Sequence, residues 1–156
     1  MLDDVDVKIL TLIQKNSGLP LSEISKRVGV SPTPCWNRIK KMEENGVISA
    51  KTIVLNRKAI NLSIVVFLSI RVSHHSKNWI DDFQKLITKH DEIIEVHRLT
   101  GSDTDYLLKI LAPSIEEYDK FQQKLIGEVE FTKMSSSISL QEMKNSHVLP
   151  LEQCVT

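Results

Sequence analysis

Residues 31–48 read SPTPCWNRIKKMEENGVI, a helical pattern with two prolines at its head and an Asn-Gly pair at its close. Ser31 stands where a hydroxyl caps a helix, and Pro32 takes the first helical position, where no amide hydrogen is needed and φ is already helical. Pro34 still falls in the first turn, where a missing donor costs little. Cys35, Ile39 and Met42 recur at i, i+4 and i+7 and form an inward stripe, so Thr33, Asn37, Lys40, Lys41 and Glu44 face outward. Arg38 flanks the stripe; its stem can lie on the core while its guanidinium reaches out. The prolines fix the angle at which this helix leaves the preceding turn, which matters for a helix whose N-terminal end must point into something.

Upstream, Leu21, Ile24 and Val28 share one face of a helix expected near 22–28, and Gly29 follows it where a left-handed residue ends a helix. Val5, Ile9, Leu12 and Ile13 mark an earlier helix near 4–15, with Asp3 or Asp4 placed to cap it and NSGLP (16–20) ending it. A bracing helix followed by two helices about a tight turn is a helix-turn-helix, whose second helix presents its N-terminal residues to the major groove of DNA. The residue types suit that task. Asn reads adenine bidentately, Arg reads guanine, Lys, Ser and Thr hold phosphates, and the helix N-terminus attracts an anion. Ser31, Thr33, Pro34, Asn37, Arg38 and Lys41 are therefore the candidate DNA-binding residues. Glu43 and Glu44 repel phosphate and end the working surface. Trp36, at the edge of the stripe, either stacks on DNA or packs partly inward. The alternative for the whole segment is a plain three-helix unit whose charges are only solvated.

Charge supports a division of labour. The 156 residues carry no formal net charge, yet residues 1–60 hold ten Lys and Arg against six Asp and Glu, leaving the remainder equally acidic. Only the front half suits a polyanion. The longest apolar run, LSIVVFLSIRV (62–72), is broken by Arg71 after about ten residues, half of the roughly 20 a spanning helix needs, and the acidic start MLDDVD lacks the basic residues of a secretory leader. A cytoplasmic protein without a membrane partner is expected. Cys35 and Cys154 match no metal or redox spacing, so two reduced thiols and no metal are expected.

The second half reads β-α-β-β-α-β, the ferredoxin-like order. Strand-like runs cover 63–72, 93–99 and 104–111, with a last strand near 131–140. A helix over 77–89 places Trp79, Ile80, Phe83, Leu86 and Ile87 on one face, and a helix over 114–126 buries Ile115, Tyr118, Phe121 and Leu125. TGSD (100–103) is a hairpin signal. Both helices then cover one face of the sheet. The run 64–70 is apolar on both alternating faces, so the other face is expected to meet a second subunit or to be covered by the linker or the C-terminal tail. The expected divisions are a helix-turn-helix domain at 1–50, a linker at 51–62, the ferredoxin-like domain at 63–142 and a tail at 143–156.

LDDVDVKIL (2–10), LSEISKRVGVSPTPCWNRIKKMEENGVI (21–48), TGSDTDYLLKI (100–110) and ISLQEMKNSHVLPL (138–151) together resemble the leucine-responsive/AsnC (Lrp/AsnC) family of transcriptional regulators, in matching order over nearly the whole chain. The resemblance implies an α+β protein with an N-terminal winged-type helix-turn-helix and a C-terminal ligand-sensing domain, binding a palindromic operator as a homodimer that assembles into an octamer or related ring. It also implies a small amino-acid effector held where dimers meet, which by position falls to Thr100, Gly101, Asp103, Asp105 and Tyr106, with Ser137 and Ser139 opposite. Asp105 can accept from an ammonium, and amides near a glycine can hold a carboxylate. Gly101 and Asp105 are four residues apart, one more than the family pattern. Without the resemblance TGSDTD is an ordinary polar turn, and the serines at 135–137 face solvent.

Two other classes of function define the contrast. Relatives of this fold include tetrapyrrole (sirohaem-type) decarboxylases, and all five histidines, at 74, 75, 90, 97 and 147, lie in the second half. His74 and His75 are adjacent in a loop, no pair stands at i, i+4 on a helix, and no nucleophile motif or phosphate-cradling loop accompanies them. The expectation is a non-enzyme without a cofactor. A pure oligomerisation or ligand-storage module would have no use for the cations of the third helix.

Overall fold

The computed structural model describes residues 2–101 and 103–154 and divides them into two compact units. The first runs to Val54 and takes in the C-terminal stretch from Met143; the second is Leu55–Glu142.

Three helices build the first unit: α1 (Asp4–Ile13), α2 (Leu21–Val28) and α3 (Pro32–Glu44). Asp3 is the cap of α1, in a reciprocal box with Asp6. Ile9, Leu10, Ile24, Cys35 and Met42 close the core, with Ile39 packed against it. Gly29 ends α2 at φ 77°, the left-handed backbone that glycine adopts without strain. The Val30 carbonyl then accepts both the Ser25 hydroxyl at 2.6 Å and the Cys35 thiol at 3.5 Å, which ties the turn to the helices on either side. Ser31 occupies the cap position of α3 by backbone conformation, but its hydroxyl makes no capping bond there. With Pro34 at the third helical position, one of the two amides that a capping hydroxyl serves is absent.

The C-terminal stretch returns to this unit. The Gln14 side chain pairs with the Leu149 backbone in both directions, donating to the carbonyl at 3.1 Å and accepting from the amide at 2.9 Å. Leu151, opening a short 3-10 turn (Leu151–Gln153), packs against the core.

The second unit is a four-stranded antiparallel sheet with two helices on one face. Strands β1 (Ile64–Arg71), β2 (Ile93–Arg98), β3 (Tyr106–Ala112) and β4 (Lys133–Ile138) stand in the order β2-β3-β1-β4, with α4 (Lys77–Lys89) and α5 (Ile115–Glu128) in the crossovers. Ser76 and Ser114 cap the two helices by accepting from Trp79 and Glu117 amides. Val66, Leu68, Ile70, Leu108 and Ile110 meet Phe83, Leu86, Tyr118, Phe121 and Leu125 in the core. Each such leucine or isoleucine contributes about 1.5–3 kcal/mol by leaving water. Two residues expected on the buried faces lie outside them: Ile80 is 42% exposed and Ile115, at the first position of α5, 54%. Both stand in the first turn of their helix, on the flank of the stripe that buries Phe83 and Leu86 in α4 and Tyr118, Phe121 and Leu125 in α5.

On the opposite face, the register brings Val65, Phe67 and Ser69 of β1 beside Leu111, Lys109 and Leu107 of β3, and Phe67 beside Ser137 of β4. Phe67 is 37% exposed there, while Val65 is buried.

Candidate nucleic-acid interface and ligand loop

Helix α3 sorts its residues by period. Cys35 and Met42 are buried, whereas Ser31, Thr33, Pro34, Asn37, Lys40 and Lys41 are exposed. The outward face thus offers two hydroxyls, one carboxamide and two ammonium groups along a helix whose N-terminus is sharply set. Trp36 is half exposed, and the Lys40 Nζ lies 5.8 Å from its ring centroid, a cation-π approach that keeps both on the surface. Glu43 is neutralised locally: Lys51 at 2.7 Å and Lys40 at 3.4 Å pair with it, and the Lys51 contact chiefly holds its carboxyl below the usual range.

Arg38 stands apart from this set. Its Nη1 lies 2.6 Å from Asp3 Oδ2 and 2.8 Å from Asp6 Oδ1, so the guanidinium bridges α3 to the N-terminus of α1. Pairing with Asp6 and then Asp3 raises its pKa further above the ordinary value. The Asp6 amide first, and Arg38 next, lower that of Asp3. The sequence expected a base-reading guanidinium, and the structure gives it two carboxylate partners more than 30 residues away.

In the sheet unit, Leu99 N–H donates to the Asp105 carbonyl at 2.8 Å and closes the β2–β3 hairpin. Thr100, Gly101 and Asp103 are exposed on its loop, with Gly101 at φ 80°; Ser102 lies outside the described residues. Asp103 pairs with Arg71 at 3.0 Å. Asp105 is drawn into the fold: its amide donates to Ile70 O at 2.9 Å, and its Oδ2 accepts from the Val72 amide at 2.8 Å. Tyr106 turns to the helix side, because 106, 108, 110 and 112 alternate toward the core. Its ring lies 4.8 Å from Phe83 and 5.4 Å from Trp79, so its ring is withdrawn from the open face.

Ser137 and Ser139 are not beside this loop. They run along the far side of β1, with Ser137 opposite Phe67 and the Ser139 amide bonded to Val65 O. Phe67 is four residues from Arg71, which places Ser137 about 13 Å down the strand from the Arg71–Asp103 pair at 3.3 Å per residue. One chain therefore holds the two groups apart. Ser136 faces the helices, with its hydroxyl 2.6 Å from that of Tyr118. Sequence reasoning missed Arg71 and the Val72 amide; the single charge ending the run 62–72 was the available signal.

A family model described as a winged helix-turn-helix DNA-binding domain matches residues 2–49, and one described as the Lrp/AsnC ligand binding domain matches residues 65–149. The chain is 41% identical over 152 residues to the glutamate uptake regulatory protein of Zymomonas mobilis, spanning 97% of this chain and 92% of that protein. Among solved structures it is similar to an AsnC family transcriptional regulator from Agrobacterium tumefaciens, at 38% identity and a TM-score of 0.94 over 99% of this chain and all of that one. A transcriptional regulator from Neisseria meningitidis, solved as its L-Met complex, matches at 31% identity and a TM-score of 0.93 over the same shares.

Proposed function

The chain belongs to the Lrp/AsnC family of transcriptional regulators, and from that premise we propose that α3 reads an operator while the β2–β3 loop reads a small amino acid at a contact between copies of the chain. The observation that carries the first part is the sorting of α3: Thr33, Asn37 and Lys41 are exposed on a helix set by two prolines and a tied turn. Asn37 is the base reader, with Ser31, Thr33 and Lys41 on phosphates and Pro34 shaping the first turn.

The ligand reading rests on the loop and on its separation from Ser137 and Ser139. Backbone amides around Gly101 and the second Asp105 oxygen suit an amino acid's carboxylate and ammonium. Serines about 13 Å away along the sheet reach the same ligand only from another copy. The relative solved with L-Met favours an amino acid as the ligand class. The open sheet face, with Phe67, Leu107 and Leu111, is the surface a second copy covers to form a two-fold dimer. Among the described residues no helix is long and apolar enough to cross a membrane, in keeping with a cytoplasmic regulator. Dimers then meet through the hairpin loops in an octamer or related ring.

The test is selection of bound fragments from a random duplex pool, with and without the twenty amino acids, at near-physiological salt because low salt inflates nonspecific binding. An enriched palindrome whose recovery shifts with amino acids is the expected result. Enrichment without any shift would remove the amino-acid reading, and no enrichment would remove the operator reading.

A further inference from the structure

We propose that Asp3 and Asp6 are positioning residues for the recognition helix, acting through Arg38. The two carboxylates divide their oxygens between two tasks. Asp3 Oδ1 accepts the Asp6 amide at 2.9 Å while its Oδ2 takes Arg38; Asp6 Oδ2 accepts the Asp3 amide at 3.2 Å while its Oδ1 takes Arg38. The cap of α1 and the strut to α3 are thus one network, and neither carboxylate can turn away without breaking both parts. Arg38 follows Asn37 directly and precedes Lys41 by one turn, so a change at this strut tilts the residues that meet DNA.

Exposure distinguishes this from an ordinary surface pair. The Asp6 side chain is 14% exposed and that of Arg38 33%, with Asp3 at 54% as the outer member. A partly screened guanidinium between two fixed carboxylates loses less freedom and less Coulomb energy than an exposed pair does. Two carboxylates on one guanidinium also leave a net negative charge beside a helix that must approach phosphates. Electrostatics alone then predicts that removing a carboxylate strengthens DNA binding. Positioning predicts that it weakens binding, and this opposition of sign makes the proposal decidable.

The inference rests on α3 being the DNA-reading helix, which wild-type binding to the selected duplex tests separately. Asp6→Asn and Arg38→Gln in the full chain would be titrated against that duplex and a scrambled one across a salt series. Each is expected to lower affinity for the selected duplex about tenfold, equivalent to about 1.4 kcal/mol, with little change on the scrambled duplex and the same salt slope as wild type. The double variant should bind no worse than the weaker single one, as members of one network do. Asp6→Glu keeps the charge and should restore most of the loss. Asp3→Asn leaves the inner Asp6–Arg38 pair and supplies the reading if Asp6→Asn fails to fold; its expected loss is smaller. The proposal is overturned if Asp6→Asn, or in its place Asp3→Asn, binds the selected duplex as well as or better than wild type. It is equally overturned if Arg38→Gln alone loses affinity on both duplexes and its salt slope falls by about one, the mark of a phosphate contact.

Discussion

In the helical unit, Ser31, Thr33, Asn37 and Lys41 all project from one helix, so a single chain presents the whole candidate surface. In the sheet unit, the loop at 100–105 and the pair Ser137 and Ser139 stand on opposite sides of β1 and are separated along it. The difference follows from geometry. A helix returns to the same face every 3.6 residues and gathers nearby residues, whereas a sheet distributes its residues along strands and needs a second surface to enclose a ligand. On the proposed function, such a regulator would read DNA with parts complete in each copy and sense its effector with parts that only assembly completes.

The largest effect that bears on this comparison is in the sheet. Leu108 is fully buried between the helices and the sheet, so Leu108→Ala should lower stability by about 2–5 kcal/mol, read by denaturant unfolding. A ligand site that needs assembly should then fail at protein concentrations where binding to the selected duplex persists; loss of both together would break the distinction between the units.

Asp105 sharpens the ligand half. Asp105→Ala removes the acceptor of the Val72 amide and should cost about 1.5–3 kcal/mol, the value of a hydrogen bond to a charged group. Asp105→Asn keeps an acceptor and removes the charge, so it should stay near wild-type stability yet lose the amino-acid response. An unchanged response in Asp105→Asn would remove the carboxylate from the ligand's ammonium.

Gly29 tests how far α3 depends on its turn. A Cβ there meets nothing within 4 Å, so Gly29→Ala carries only the strain of a left-handed backbone, about 1–2 kcal/mol, visible as a lowered Tm. The smallest effect is acid-dependent. Folding lowers the Asp3 pKa, so its contribution is fully present above its ordinary 3.8 and is lost as the pH falls through the lower folded value. Asp3→Asn should flatten that acid limb in a pH series of Tm values; an unchanged limb would contradict the cap and strut.

Much of this was legible in the sequence for local reasons. The bounds of α4 at Lys77–Lys89 follow from the Ser76 cap and the apolar period, and the outward face of α3 follows from the Cys35, Ile39 and Met42 stripe. The pairs that were not legible join distant positions. Nothing near Arg38 announces Asp3 and Asp6, and nothing near Asp105 announces the Val72 amide. Alternation would have sent Tyr106 and Ser136 to the helix side, but the phase of β3 and β4 is set by pairing with β1 rather than by their own residues. The loop residues Thr100, Gly101 and Asp103 carry no local signal beyond a turn, since a ligand loop and a plain hairpin use the same residue types.

On the proposed function, α3 reads base sequence with a surface complete in each chain. The most direct measurement is the affinity of wild type and Asn37→Ala for the selected duplex and for a scrambled one at the same salt. A base reader predicts a loss of about 1–3 kcal/mol on the selected duplex alone, with the scrambled duplex bound as before. Equal loss on both, or none on either, would contradict the claim that this face of α3 reads sequence.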